Sequence, residues 1–305
     1  MLLLGDLGAN RPDLQTLHMI LAVDVPKKRA HYGLHSPASY RVSSMFWRCL
    51  IVMVLGLAAQ PATAGAFLER PGMILAIQEL SFSGSSAAFD ARGRLIPVAA
   101  YRKFTLQTSL EYGALDWLTV LGRLESVSVY AQGPPATFYR GLGMSELGAR
   151  LQLWRSRDSD YVVSAQALRR LPLARQDNPA AAGMTQAETD VRLMAGGAFD
   201  ARDRPGFWSV EAGLRQRGGL TPDEKRLELA AGLYIFDLLQ VLAQGFHVFT
   251  PRTALAPGSQ SHKAQMSLLF NAGRAWSLQA GAFRTLAGVN ARRESGLLMA
   301  FWRRM

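Results

Sequence analysis

From residue 65 onward, apolar and polar side chains alternate with a period of two in one segment after another. In 101–113, one face carries Phe104, Leu106, Thr108, Leu110 and Tyr112, and the other carries Lys103, Thr105, Gln107, Ser109 and Glu111. The same pattern recurs in 142–154, 207–217, 224–236 and 262–273. Successive side chains of a strand point to opposite faces, so each of these segments is predicted to be a β-strand.

Counting every alternating segment predicts twelve strands. Their spans are 72–81, 101–113, 117–130, 142–155, 160–172, 186–199, 207–217, 224–236, 239–250, 262–273, 275–287 and 292–303. Most of these are longer than the roughly five or six residues that strands reach in soluble sheets. A tilted membrane-crossing strand needs about 9–11 residues, so the lengths favour a transmembrane sheet.

The predicted connections alternate between short and long. The short ones fall at 114–116, 237–238 and 273–274, and the long, Pro- and Gly-rich ones at 82–100, 131–141, 173–185, 218–223, 251–261 and 288–291. We therefore expect an all-β protein, a single antiparallel transmembrane β-barrel of about 12 strands with short periplasmic turns and longer extracellular loops. A soluble periplasmic β-sandwich is the alternative, but the apolar faces lack the sustained richness of a sandwich core.

The segment before the strands has the features of an export signal. Residues 45–64 combine a basic residue, Arg48, with an apolar run from Leu50 to Ala59 and the small-residue cleavage site Ala62-Thr63-Ala64. We expect 45–64 to be a signal peptide, 65–305 to be the barrel, and 1–44 to be a disordered, non-native upstream extension. The alternative is a cytoplasmic tail before a signal anchor. The expected location is the cell outer membrane. The expected partners are its lipid and the barrel-assembly machinery, with envelope polysaccharide or its export machinery as a further candidate.

Composition narrows the chemistry of the exported part. The only cysteine, Cys49, lies in the predicted signal, so residues 65–305 have no cysteine for a disulfide, a metal site or a nucleophile. These residues contain 28 basic and 20 acidic side chains. The arginines are scattered singly, and an exported chain meets anionic lipid before nucleic acid, so no nucleic-acid partner is expected. No cofactor, metal or catalytic residue is predicted.

Charged residues on the faces opposite the apolar ones are the candidate site. We expect the following to line the lumen: Lys103, Glu111, Arg123, Glu125, Glu146, Arg150, Glu188, Asp190, Arg192, Glu211, Arg215, Arg226, Glu228 and Lys263. They could tune the selectivity of an aqueous pore, or they could neutralise one another across a filled interior. The near balance of acids and bases favours the second interpretation.

Several segments carry a family resemblance. EYGALDWLTVLGRLE (111–125), the opening GAFLERPGMILAIQELSFSGSS, the FDARGRL hairpin (89–95) and YRKFTLQTSLEYG (101–113) resemble Gram-negative outer-membrane barrels of the transporter-like kind, most of all barrels encoded with exopolysaccharide synthesis genes. The resemblance implies a barrel with a transport or envelope role and supplies no catalytic residue. The chain departs from such barrels at Met305, where they usually end in Phe.

Two functions follow as hypotheses. The first is a narrow channel or transport-related envelope protein for a small solute or a polysaccharide-related ligand. The second is a non-conducting accessory barrel of an exopolysaccharide export system. An outer-membrane phospholipase or esterase is a remote third, because neither His247 nor His262 is followed by the His-x-Ser-Asn-Gly pattern of that family. We therefore expect no enzyme, and we expect His262 to be a solvated loop-edge residue.

Glycines and aromatic residues receive structural interpretations. Gly141-Leu142-Gly143 and Gly196-Gly197 are predicted to be bends in strands, since no helix follows either as a phosphate-binding loop would require. An aromatic girdle at the membrane interfaces is predicted from Tyr101, Trp117, Tyr130, Tyr139, Trp154, Trp208, Tyr234 and Trp276.

Overall fold

A computed structural model describes residues 65–305 except 134, 159, 176, 182, 220, 255 and 274. The predicted extension 1–44 and the predicted signal peptide 45–64 lie outside the described residues. No helix among the described residues has the length and apolar character needed to cross a bilayer.

The described chain consists almost wholly of antiparallel strands. They are β1 (Ile74–Phe89), β2 (Leu95–Leu115), β3 (Leu118–Ala131), β4 (Thr137–Arg155), β5 (Tyr161–Pro172), β6 (Glu188–Ala201), β7 (Arg204–Arg217), β8 (Glu224–Phe236), β9 (Leu239–Thr250), β10 (Ser259–Asn271), β11 (Trp276–Val289), the two-residue β12 (Ala291–Arg292) and β13 (Ser295–Arg304). One short 3-10 helix, Pro179–Ala181, follows β5.

The sheet closes on itself. Each long strand pairs with its neighbours in chain order, and β1 pairs with β2 on one side and with β13 on the other. With β12 set aside, this is the predicted closed 12-strand barrel. Closure matters because a backbone N–H or C=O left unpaired in hydrocarbon costs several kcal/mol, and a closed barrel has no edge.

Burial alternates with a period of two residues, and here the apolar face is exposed and the polar face is buried. Large apolar side chains on one face are exposed, such as Leu147 at 63%, Leu214 at 61% and Met299 at 66%, whereas Asp190 and Ser164 on the other face are at 0%. An exposed apolar wall is stable only against lipid tails. The outward face therefore meets the membrane, and the inward face encloses a polar lumen.

Two stretches outside the predicted strands are in fact strand. The predicted extracellular loop 82–100 is wrong, because β1 continues to Phe89 and β2 begins at Leu95, leaving a tight turn closed by the Asp90 carbonyl. The predicted gap 200–206 is also hairpin, with Arg202 and Asp203 at φ 52° and 60° forming its two-residue turn. Small residues such as Ser83, Gly84 and Ser85 weakened the alternation on which the loop prediction depended.

Candidate functional site

Inward-facing arginines and carboxylates form a network around the middle of the lumen. Asp190, fully buried on β6, contacts Arg192 at 2.7 Å and Arg215 at 2.9 Å. Arg192 reaches Glu211 on β7 at 2.9 Å and Glu228 on β8 at 3.2 Å. With Arg226 Nη1 on β8 at 3.7 Å, guanidinium groups from three strands surround the Asp190 carboxylate. Such buried pairs are stable only when every partner is present.

The network continues toward the extracellular end. Glu146 on β4 accepts from Arg123 at 3.0 Å and from Arg170 at 2.7 Å, and Arg170 also donates to Glu188 on β6. Arg226 on β8 pairs with Glu228 at 3.1 Å. These contacts link β3 to β8 through side chains as well as backbone, which makes the charged half of the wall rigid.

Five further candidate residues form separate pairs, and two of them, Arg150 and Glu111, pair with each other at 3.1 Å. Lys103 donates to Glu125 at 3.0 Å, and Lys263 donates to Glu294 at 2.6 Å near the extracellular mouth. The structure therefore brings most of the predicted lumen residues into one network and leaves these pairs outside it. Sequence analysis did not select Glu294, although the predicted strand 292–303 contains it; in the structure it lies in the short connection between β12 and β13.

A cavity of about 480 Å³ lies inside the network. Its charged lining comprises Glu79, Glu111, Arg123, Glu146, Arg150, Arg170, Arg192, Glu211, Arg215, Arg226 and Glu228. Both charge signs face it, and Arg226 Nε is buried with no hydrogen-bond partner among the described residues. The cavity can therefore accommodate a small polar or charged molecule.

The segment that precedes β1 lies inside the barrel, which sequence analysis did not predict. The Ala66 carbonyl accepts from Ser164 at 2.8 Å, and the Phe67 carbonyl accepts from Arg150 at 2.7 Å. Farther along, the Glu69 amide donates to Thr119 at 3.1 Å. We call residues 65–70 the inner segment. It occupies part of the lumen through hydrogen bonds to side chains, without joining the sheet.

Glycines make room for the inner segment. Gly113 on β2 lies so close to the Arg70 carbonyl that a Cβ there would collide with it, and a Cβ at Gly196 would lie 3.1 Å from both Ala66 Cβ and the Phe67 ring. The predicted bend at Gly196-Gly197 is therefore wrong, since β6 and β7 pair there without a shift. The other predicted bend coincides with a register shift beside Gly143.

The extracellular loop between β5 and β6 packs against the inner face of β3 and β4. Ala174, Ala180 and Ala181 are buried there against Val127 and Val129. The Leu173 amide donates to the Gly143 carbonyl at 2.9 Å, and Asn178 donates to the Phe138 carbonyl at 3.0 Å. This loop narrows the lumen from the extracellular side, opposite the inner segment.

Two minor predictions need correction. The aromatic girdle holds for Trp117, Tyr130 and Trp154, which are exposed, but Tyr139 at 4% and Tyr234 at 6% exposure are buried. His262 is not a solvated loop-edge residue, because it lies in β10 directly opposite His247, with 2.8 Å between their Nδ1 atoms. Neither correction adds a candidate nucleophile and base to the lumen.

Comparisons with known proteins agree on the fold. No family model and no curated protein matches the chain. Among solved structures, an outer membrane channel from Pseudomonas putida F1 matches with a TM-score of 0.63 and 14% identity, over 81% of this chain and 100% of that one. The β domain of the Bordetella autotransporter BrkA matches with a TM-score of 0.48 and 13% identity, over 75% of this chain and 99% of that one. The NanC porin matches with a TM-score of 0.43 and 8% identity, over 73% of this chain and 98% of that one. The likeness to the Pseudomonas putida channel shows that the chain has the fold of an outer-membrane β-barrel.

Proposed function

We propose that the chain is a narrow outer-membrane channel for small polar solutes, held closed by its inner segment. The carrying observation is the Phe67 carbonyl bound by Arg150 at the wall of the charged cavity. Arg150 also contacts Glu111 at 3.1 Å and Gln166 at 3.0 Å, so it keeps partners when the segment leaves. Release of the Phe67 carbonyl therefore leaves Arg150 paired, and Arg304, which pairs with Glu69, is the one wall charge that loses an ion-pair partner among the described residues.

The inner segment is attached by a few polar contacts and by the packing of Ala66 and Phe67 against Val162 and Met194. Its described side-chain and backbone contacts include three hydrogen bonds to the wall and one ion pair, Glu69 to Arg304 at 3.1 Å. Each such hydrogen bond contributes only about 0.5–1.5 kcal/mol net, since water replaces the partner when the bond opens. The strands, in contrast, are held by continuous ladders and stay in place.

The chemistry of the cavity favours a small, polar solute. Its volume of about 480 Å³ is that of a compact molecule, and acids and bases alternate around it. Because most of these charges already pair with one another, the lumen offers many hydrogen bonds without a strong net charge. The name of the Pseudomonas putida neighbour, an outer membrane channel, is consistent with this proposal.

Conductance in planar bilayers tests the proposal. We expect the intact mature chain to show small, infrequent openings, and a variant lacking residues 65–70 to conduct several-fold more. Gly113→Ala should act in the same direction, because its Cβ would collide with the Arg70 carbonyl. Gly122→Ala is the matched control, since a Cβ at this other strand glycine meets nothing within 4 Å.

The outcomes separate the alternatives. Equal conductance of the intact and truncated chains would overturn gating by the inner segment. No unitary current from either, over a wide voltage range, would overturn the channel and favour the non-conducting accessory barrel of an export system. The loop between β5 and β6 also narrows the lumen, but its described packing on β3 does not involve the inner segment. The effect of this loop on conductance can therefore be compared with the effect of the inner segment.

A further inference from the structure

Four basic side chains occupy the outward wall of four successive strands. They are Lys225 on β8, His247 on β9, His262 on β10 and Arg284 on β11. We call them the outer basic row. Their inward neighbours Arg226, Lys263 and Thr285 belong to the lumen face, as the lumen ion pairs of the first two and the complete burial of Thr285 indicate.

The row is continuous. His247 and His262 stand directly opposite each other, with 2.8 Å between their Nδ1 atoms. His247 is also opposite Leu227, which places Lys225 at the diagonal position, and Arg284 is opposite Ala264, diagonal to His262. Diagonal neighbours on one face of a sheet lie roughly 7–8 Å apart, within reach of long side chains. The four groups can therefore contact one ligand together.

The row runs nearly parallel to the membrane plane. A line of directly paired residues that begins at Leu75, at the periplasmic start of β1, reaches Glu224, at the extracellular start of β8. The strands are therefore strongly tilted. Relative to directly paired residues, the row shifts toward the periplasm by two residues from β8 to β9, by none from β9 to β10, and by two from β10 to β11. This offset follows the tilt and keeps the four residues at a similar height.

That height is the outer edge of the apolar band. His247 is eight residues above Leu239, the periplasmic start of β9. At about 3.4 Å per residue and a tilt of about 40°, this is roughly 20 Å, against an apolar band about 25 Å tall. Phe249, exposed and directly opposite Lys225, is placed as an interfacial aromatic residue would be.

The charges of the row have no counterpart within the described protein. The carboxylates of β8 to β11 are Glu224 and Glu228, and both pair inside the lumen, with Arg217 and Arg226. Lys225 and Arg284 are exposed and form no ion pair among the described residues, whereas the lumen bases are paired. At the edge of the hydrocarbon such cations can reach the headgroup region, where anionic phosphate groups attract them.

We propose that the outer basic row binds the phosphate groups of an anionic lipid headgroup in the outer leaflet. Lys225 and Arg284 supply fixed positive charge to the phosphate groups. The paired imidazoles of His247 and His262, which lie between these two residues, supply hydrogen bonds to the same groups. The surface is on the outside of the barrel and does not depend on whether the lumen conducts. It would fix the height and rotation of the barrel in its membrane.

Native mass spectrometry of the refolded mature chain tests this site. The probe is diphosphorylated lipid A, compared with the same glycolipid freed of phosphate and with inorganic phosphate. The test variant is Lys225→Gln/Arg284→Gln. Arg169→Gln is the matched control, because Arg169 is likewise outward and exposed and lies on β5 away from the row. Among the described residues, its side chain donates to Thr189 at 2.8 Å and forms no ion pair.

We expect retained lipid on the wild-type barrel, roughly tenfold weaker retention by the double variant, as loss of charge-assisted contacts predicts, and no change for Arg169→Gln. The phosphate-free lipid should not be retained. Equal retention by the double variant, equal loss in the Arg169 control, or equal binding of the phosphate-free lipid would each overturn the proposal. Full displacement by inorganic phosphate would show an anion site that does not select a lipid, which also contradicts it. Heat-modifiable migration in gels checks that each variant folds.

Discussion

At the scale of residues, the paired carboxylates differ in how much the stability of the barrel depends on them. Asp190 is fully buried and contacts Arg192 and Arg215, while Arg226 Nη1 lies 3.7 Å away. Asp177 pairs with Arg175 in an extracellular loop where both side chains are more than two-thirds exposed. Alternation alone predicted an inward face for Asp190, but the convergence of three arginines on it depends on strand register, which no short segment specifies.

The first prediction concerns this carboxylate. Asp190→Asn leaves three guanidinium groups facing one another without their shared anion, and breaking a buried pair in this way costs about 3–5 kcal/mol. Urea unfolding of the barrel in lipid vesicles should show the loss. Asp177→Asn serves as the control and should leave the midpoint unchanged, because its pair is exposed to water. Similar midpoints for wild type and Asp190→Asn would contradict a structural network.

The turn between β1 and β2 gives a second prediction at this scale. Hydrogen bonds from the backbone amide of Arg94 and then of Arg92 lower the pKa of the Asp90 carboxyl below its usual 3.8. A lowered pKa stabilises the turn above pH 3.8, and that contribution is lost as the pH falls through the shifted value. Carboxyl carbon resonances followed by NMR should report a midpoint below 3.8, and a midpoint at or above it would contradict the hydrogen bonds.

At the scale of elements, the sequence was most informative where both environments are uniform. Each strand of the barrel has lipid on one side and a polar lumen on the other, so alternation in β8 predicted its bounds, 224–236, correctly. It was least informative where neither environment applies. The extension of β1 and β2 beyond the wall contains small residues that alternate weakly, and the inner segment has no period because its partners, such as Thr119 and Ser164, are distant in sequence.

Strand β8 supports a prediction about orientation. Leu229 is 40% exposed on the outward face, and its neighbour Glu228 pairs with Arg192 and Arg226 in the lumen. Leu229→Arg should cost about 2–4 kcal/mol near the bilayer midplane, and Glu228→Gln should cost less. A cysteine scan over 227–235 in vesicles should find odd positions protected from a water-soluble thiol reagent. Labelling without a two-residue period would contradict the membrane-facing wall.

At the scale of the whole molecule, Gly65, which would be the first residue after the predicted cleavage, lies at the candidate site. A Cβ at Gly65 would meet Ser209 at 2.5 Å and Glu211 at 3.0 Å, so this residue lies against the lumen wall beside a carboxylate. Composition and alternation predicted the barrel but not this contact. If the chain is cleaved as the sequence predicts, the position of that cleavage determines which group lies next to Glu211.

The last prediction follows from that placement. If cleavage occurs after Ala64, the mature chain begins Gly65-Ala66-Phe67 and brings a positively charged amino group to the residue beside Glu211. A charge of this kind would strengthen the hold of the inner segment on the wall, since opposite charges attract more strongly where water is partly excluded. N-terminal sequencing of protein from outer-membrane fractions should read Gly-Ala-Phe. Recovery of an intact upstream peptide such as LHMILAVDV, residues 17–25, would contradict both the start site and the amino group's role.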